Sequence, residues 1–419
     1  MQARICTGEK NIRACKALLQ VSNTLNMKNL AESLQTRKAN HLYRSRRVVD
    51  GPQGVTVHID GRDYLSFCSN DYLGLANHPE VVAAFHKGVD EFGCGSGAAH
   101  LITGHSRAHH ALEEELADFV QRPRALLFST GYSANLGVMS ALLGRGDRVF
   151  EDRLNHASLL DAARLSGARL IRYRHNEPAE LASRLASAPE CETLVATDGV
   201  FSMDGDIAPL PELSAVAARH DAWLLVDDAH GLGVLGPQGR GSVAQAGLAV
   251  SEVPILMGTL GKAFGTFGAF VAGTEDLIET LIQQARTYIY TTAPPSAVAC
   301  ATRAALQRVR EDDWRREHLQ CLVKRFRSGA KQLGLPLCDS ETAIQPLMVA
   351  AAERALQLSE VLREQGILIS AIRPPTVAEG ASRLRITFSA THSEAQVDRL
   401  LAALETAGKA AMHGTGVAG

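Results

Sequence analysis

The chain has 419 residues, 46% of them hydrophobic, and a formal net charge of −2, which suits a globular α/β protein of two or three domains. There is no basic excess to recommend nucleic acid or an anionic membrane as a partner, and no apolar run approaches the ~20 residues of a membrane span. The cysteines (Cys6, Cys15, Cys68, Cys94, Cys191, Cys300, Cys321, Cys338) include no CxxC pair. Neither a disulfide framework nor structural zinc is indicated, and a reducing, cytoplasmic home is expected.

Met1–Asn26 has no secretory apolar core and no helical stripe. It reads as a disordered extension ahead of a second methionine, Met27, with a transit peptide as the alternative. Leu30, Leu34 and Leu42 predict a one-striped helix over Lys28–Arg47. Val55, Val57 and Ile59 alternate with polar residues, and Asp60-Gly61 predicts a two-residue hairpin turn before Tyr64, Leu65 and Phe67. Helices are predicted over Pro79–Glu91 and Ser106–Val120, either side of the glycine-rich FGCGSGAAHLITGHS. Gly93, Gly95 and Ala98 fit a loose dinucleotide fingerprint, but that fingerprint should follow a strand and here it follows a helix.

From Ala125 strands and helices alternate. The strands are ALLFS, DRVF, RLIRY, TLVAT, WLLVD, ILMGT and FGAFVAG; the helices lie near Ser133–Leu142, His156–Ser166, Ala179–Ala186 and Leu210–His220. Apolar runs without strict alternation predict a mostly parallel, doubly wound sheet buried on both faces. Helices then dominate to about Leu333. The tail reads as strand (Ile344–Val349), helix (Arg354–Gln365), strands near Leu368 and Leu384, and a helix from Ser393. The expected division is an extension over 1–26, a helix and hairpin over 27–70, a large domain over 71–307 and a smaller α/β domain over 308–419.

One stretch, ILMGTLGKAFGTFGAF (Ile255–Phe270), organises the chemistry. Lys262 is the only lysine between Lys87 and Lys324, and its neighbours are apolar or glycine. Lysine is rarely buried without a partner, but an amine, unlike a guanidinium, can lose its proton and condense with a carbonyl. A phosphate-binding P-loop requires GxxxxGK followed by Ser or Thr, whereas Ala263 follows here and Gly258 stands two positions late. What remains is a lysine snorkelling from a loop, or a Schiff-base lysine holding pyridoxal phosphate, with Thr259 offering a hydroxyl to the phosphate.

Other strand ends carry the groups such a cofactor needs. WLLVDDAHG ends with Asp227, placed to keep a pyridine nitrogen protonated, and His230 follows. STGYSAN brings Gly131 and Tyr132 to a helix opening, where backbone amides suit a phosphate. LNHAS offers the ring of His156, and TDGVFSMDGD offers Ser202 after another strand. A metal site built from Asp227, His230 and His156 lacks the helical HxxxH or cysteine partner it would need, so no metal is expected.

These residues resemble the fold type I pyridoxal-phosphate enzymes and, among them, the α-oxoamine synthase family. The resemblance runs from about Leu34 to Leu404 through SNDYLGL (Ser69–Leu75), LEEELADF, LNHASLLDAA, GVFSMDGDIAPL, VDDAHG, GTLGKAFG and AIRPPTV (Ala371–Val377). The RPPTV run is characteristic of the biotin-synthesis branch. The resemblance implies a homodimeric enzyme that joins L-alanine to a pimeloyl thioester, carried on coenzyme A or an acyl-carrier protein, with loss of CO2. A sister synthase using glycine and an acetyl thioester is the alternative. It further implies that Lys262 holds the cofactor, Asp227 meets the pyridine nitrogen, and His156 stacks on the ring and takes part in catalysis. His230 and Ser202 would lie near the ring hydroxyl, and Gly131, Tyr132 and Thr259 would serve cofactor and phosphate. Arg44, Asn70, His156, Thr376 and Arg385 match substrate-contacting positions. Ala99-His100 and Ala378 depart from the family's usual residues.

Overall fold

The computed structural model describes residues 29–187 and 191–413. The extension Met1–Asn26 lies outside them. Two units are distinguished, Met1–Arg46 and Arg47–Gly419.

In the first unit, helix α1 (Leu30–Ala39) starts at Asn29, whose side chain accepts the Glu32 amide. It is shorter than the stripe predicted: Asn40 ends it and His41 takes a positive φ of 56°. Leu30 and Leu34 are exposed, so the apolar stripe that suggested a longer helix packs no core here.

The second unit opens with strands β1 (Thr56–Ile59) and β2 (Arg62–Ser66), joined at Asp60-Gly61 as the sequence predicts. Both turn residues have positive φ, 51° and 75°, the geometry that matches strand twist in a two-residue hairpin. Helix α2 (Pro79–Phe92) leads to a π-helical turn at His100–Gly104 and then to α3 (Arg107–Phe119).

The large sheet follows from alternating units: β3 (Arg124–Phe128), α4 (Gly131–Leu142), β4 (Arg148–Asp152), α5 (Ala157–Ser166), β5 (Arg169–Tyr173), α6 (Pro178–Ala186), β6 (Thr193–Asp198), α7 (Leu210–Arg219), β7 (Trp223–Asp227), β8 (Ile255–Thr259) and β9 (Ala269–Gly273). The strand order is β3-β9-β8-β7-β6-β4-β5. The run from β8 to β5 is parallel, and β9 is antiparallel to both its neighbours. The reversal has a simple cause. A parallel return needs a crossover of a dozen or more residues, and the Leu260–Gly268 connection is too short.

Side chains leave each strand alternately on opposite faces, and two cores result. Leu126, Val149, Leu194, Leu225, Ile255 and Val271 pack with α4 and α5 on one side. Leu127, Phe150, Val195, Val226, Leu256 and Phe270 join the larger core on the other, under α3, α6 and α7.

After β9 the chain is helical through α8 (Glu275–Gln284), α9 (Ser296–Glu311) and α10 (Asp313–Gln332). Strands β10 (Ile344–Ala350), β12 (Ser370–Ile372) and β13 (Ser382–Thr387) make an antiparallel sheet in the order β10-β13-β12. The intervening β11 (Ile367–Leu368) pairs in parallel with β2, tying the N-terminal hairpin to the C-terminal part of the chain. Helices α11 (Ala352–Glu364) and α12 (Glu394–His413) complete it. The expected α/β architecture is observed.

Candidate active site

The site is built at the carboxyl ends of β6, β7 and β8, where a parallel sheet opens its crevice. Lys262 stands in the tight connection after β8, closed by the Gly265 amide to Lys262 O and the Thr266 amide to Leu260 O, both at 2.9 Å. Gly265 has φ +67°, and a Cβ on it would lie 2.3 Å from the Ala76 amide nitrogen. Only glycine fits there, so the turn that presents Lys262 is fixed by sequence.

A continuous hydrogen-bonded chain runs from the amine to a guanidinium. Lys262 Nζ is 2.9 Å from His230 Nε2, and His230 Nδ1 is 2.7 Å from the Tyr72 hydroxyl. Tyr72 also lies 3.2 Å from Asn70 Oδ1, which accepts from Nη1 and Nη2 of Arg385 at 3.1 Å. Arg385 Nε donates to the carbonyl of Ser202 at 2.6 Å. Burial lowers the Lys262 pKa to about 8, against the raising effect of Asp227 and Asp198. Burial also holds His230 well below the ordinary imidazole value, with the charges of Lys262 and Arg385 adding to it.

Two proton arrangements satisfy these contacts. With Lys262 as the ammonium, it donates to Nε2, the imidazole donates from Nδ1 to Tyr72, and the phenol donates to Asn70. With Lys262 as the amine, the phenol donates to Nδ1 and Nε2–H donates to the nitrogen lone pair. The Lys262–His230–Tyr72 contacts are kept in both arrangements, whereas the Tyr72–Asn70 hydrogen bond is made only in the first.

A second set centres on Asp227. Its Oδ2 accepts from Asn135 Nδ2 at 2.8 Å and its Oδ1 from the Ala229 amide at 3.1 Å, both neutral donors. Asn135 also donates to Ser158 Oγ at 2.8 Å. Ser158 holds His156 Nδ1 twice, by its hydroxyl at 2.8 Å and its amide at 3.3 Å. An amide can only donate, so Nδ1 is the acceptor and the ring hydrogen sits on Nε2. Burial keeps His156 below its usual pKa, against the pull of Asp227. Asp198, opposite Asp227 in the β6–β7 register, accepts the His156 amide at 3.0 Å. Burial, and then the charge of Asp227, push Asp198 well above the carboxylate range, against the pull of Lys262 and the His156 amide.

At the opening of α4, Thr130 Oγ1 accepts the Ser133 amide at 3.0 Å. The first-turn amides of Gly131 and Tyr132 have no carbonyl partner within the helix, leaving an anion-binding end. A Cβ on Gly131 would come 2.8 Å from Thr259 Cγ2, so glycine lets the backbone approach Thr259. The Thr259 hydroxyl donates to Ala229 O at 3.3 Å. The Tyr132 hydroxyl is engaged by Asp161. Arg44 lies exposed in the first unit, and Thr376 is exposed in the turn after β12.

Sequence reasoning missed the linkers. Tyr72 and Asn135 join the predicted residues to one another, and although they lie inside SNDYLGL and STGYSAN, nothing local in those motifs marks them. Ser158 and Asp198 gave no distinctive signal.

An amine of lowered pKa, a buried carboxylate with spare acceptor capacity and an open helix N-terminus fit pyridoxal phosphate. The class is defined accordingly: a fold type I pyridoxal-phosphate enzyme, whose aminotransferase class I and II family model matches residues 62–404. An 8-amino-7-oxononanoate synthase of Nitrosococcus oceani is 67% identical over 371 residues, covering 88% of this chain and 98% of that protein. That of Thioalkalivibrio sulfidiphilus is 64% identical over 380 residues, covering 90% and 97%. The chain belongs to the class I and II aminotransferase family and, within it, to the 8-amino-7-oxononanoate synthases. Among solved structures, serine palmitoyltransferase from S. paucimobilis with bound PLP has a TM-score of 0.86 at 33% identity, covering 91% of this chain and 97% of that one. An 8-amino-7-oxononanoate synthase from Francisella tularensis has a TM-score of 0.73 at 31% identity, covering 83% and 99%.

Proposed function

We propose that the protein condenses L-alanine with a pimeloyl thioester to give 8-amino-7-oxononanoate, CO2 and free thiol, in biotin synthesis. The names of the relatives support the reaction, and the Lys262–His230 contact at 2.9 Å is the single observation that carries the site assignment.

The cofactor, when bound, supplies an electron sink for the α-carbon of the amino acid. The chain's own groups do the rest. Lys262 would hold the cofactor and, as the free amine, would take the α-proton; an amine of pKa about 8 is matched to that task near neutral pH. His230 and Tyr72 carry the compensating hydrogen shift. Asp227 keeps the pyridine nitrogen protonated, and Asn135 and the Ala229 amide orient it without neutralising it. His156, its ring fixed by Ser158, would lie against the cofactor ring with Nε2–H left to donate. Ser202, whose carbonyl accepts from Arg385, would serve the ring hydroxyl. Gly131, Tyr132 and Thr259 receive the phosphate. Arg385 and Asn70 bind the substrate carboxylate, with Arg44 and Thr376 serving the acyl thioester.

The functional unit is a homodimer in the cytoplasm. An open apolar groove of about 250 Å³ lined by Val82, Phe85 and Phe267, all exposed in the single chain, supports a second copy. The division near residue 307 into a cofactor-binding part and a smaller C-terminal part belongs to the same proposal.

Borohydride reduction followed by peptide mapping tests the site. Pyridoxyl phosphate should be fixed to the peptide bearing Lys262, with loss of a visible absorption band. Label on any other lysine would refute the assignment.

A further inference from the structure

The glycine-rich loop carries a second concentration of titratable groups that the reaction does not use. His105 sits just before Ser106, the N-cap of α3, and His110 and Glu113 lie on the first turns of that helix, three residues apart and so on one face. One nitrogen or oxygen from each lies within 4.8 Å of the other two. His105 Nε2 stands 3.9 Å from Glu113 Oε2.

The remaining atoms of two of these groups are already committed. His105 Nδ1 meets His100 Nδ1 at 3.0 Å, which sets its ring and leaves Nε2 towards Glu113. Glu113 Oε1 accepts the Leu127 amide at 2.9 Å, which leaves Oε2. A metal-ligating histidine ordinarily has its second nitrogen held in this way, and a ligating carboxylate likewise. His110 is the exposed member, paired only loosely with Glu114 at 3.5 Å, and its ring is free to close. Ligands of tetrahedral zinc at ~2.0–2.1 Å stand roughly 3.3 Å apart, so modest closure of these side chains suffices.

We propose that His105, His110 and Glu113 form a site for one borderline divalent cation of the zinc class, with water in the fourth position. Two imidazoles and one carboxylate suit that class, whereas magnesium and calcium prefer all-oxygen shells. The cation pins the glycine-rich loop to α3. That loop is itself bound to the segment after Tyr290: the Ala293 amide donates to Ala98 O at 3.0 Å, Ser96 Oγ to Pro294 O at 2.6 Å, and His109 Nε2 lies 2.7 Å from the same carbonyl. Occupancy therefore stiffens both segments together.

The test is equilibrium dialysis of the chelator-stripped holoenzyme against micromolar zinc chloride, with bound zinc counted by elemental mass spectrometry and thermal midpoints read in parallel. Wild type and the control His86→Ala, at an exposed histidine on α2, should retain one zinc per chain and gain thermal stability from it. His110→Ala and Glu113→Gln should bind about tenfold more weakly or worse. His110 is exposed, so loss of binding there is not loss of fold. No stoichiometric zinc in wild type, or equal retention by all the variants, would overturn the proposal and leave a packed histidine cluster.

Discussion

At the scale of the residue, the account turns on why one lysine is a reagent and the rest are surface charge. Burial lowers Lys262 to about 8, and Asp227 works in the opposite direction. Cofactor-free protein should therefore take up pyridoxal phosphate at a rate that climbs about tenfold per pH unit below pH 8 and levels off above it, because only the neutral amine condenses. A midpoint near the ordinary lysine value would show that the amine is solvated. Removing the Asp227 charge as Asn should move the midpoint lower still. The same Asp227→Asn variant should lose turnover by much more than tenfold, which is a barrier change of about 1.4 kcal/mol, while cofactor affinity falls less. Lys262, Asp227, His156 and His230 were legible because each is a polar group set in an apolar or strand-end context. Tyr72 and Asn135 matter through the partners that folding gives them. Such pairings are long-range, and no local pattern announces them.

At the scale of the element, short connections carry more of the design than the strands do. The turn after β8 reverses the chain into β9 and presents Lys262 on the way, and Gly265 is its pivot. Gly265→Ala should destabilise by about 1–3 kcal/mol from backbone strain alone, with more from the contact at Ala76, read as a lowered denaturation midpoint at unchanged slope. An unchanged midpoint would mean that the turn relaxes freely. A second connection is held by charge. His175, after β5, lies 3.0 Å from Asp152 Oδ1 at the end of β4 and 2.7 Å from Asp206 Oδ2 in the loop that carries Ser202. Burial works to lower this imidazole, yet the two carboxylates raise it to about 10. The folded-state value is above the unfolded one, so the stabilisation is full below about pH 6.5 and is lost as pH rises through about 10. His175→Gln should lower stability at neutral pH and flatten its alkaline decline; a variant with the wild-type alkaline limb would contradict the clamp. The Asp60-Gly61 turn was readable because both residues favour positive φ. The shortness of α1 was not, since a leucine stripe marks a face that something must cover and does not say where the helix ends.

At the scale of the whole molecule, most of the architecture was legible. Strands buried on both faces write continuous apolar runs, and the alternation of those runs with helical stretches leaves few topologies open. The pairing of β11 with β2 was not readable: it joins the hairpin to a strand three hundred residues away, and a two-residue strand has no pattern of its own. Assembly belongs to this scale. Light scattering should give a dimer, and a fully active monomer would refute the proposed second copy. The choice of substrate also belongs here, because a pocket for one methyl group gains only about 1–3 kcal/mol and leaves no motif. The most direct test crosses alanine, glycine and serine with pimeloyl, acetyl, succinyl and palmitoyl thioesters, reading thiol release and the ketone product. The account predicts the highest kcat/KM for alanine with the pimeloyl thioester, with one CO2 and one thiol per ketone formed. Glycine with the acetyl thioester as the best pair would contradict it, leaving the fold and the lysine-bound cofactor standing and the biotin reaction excluded.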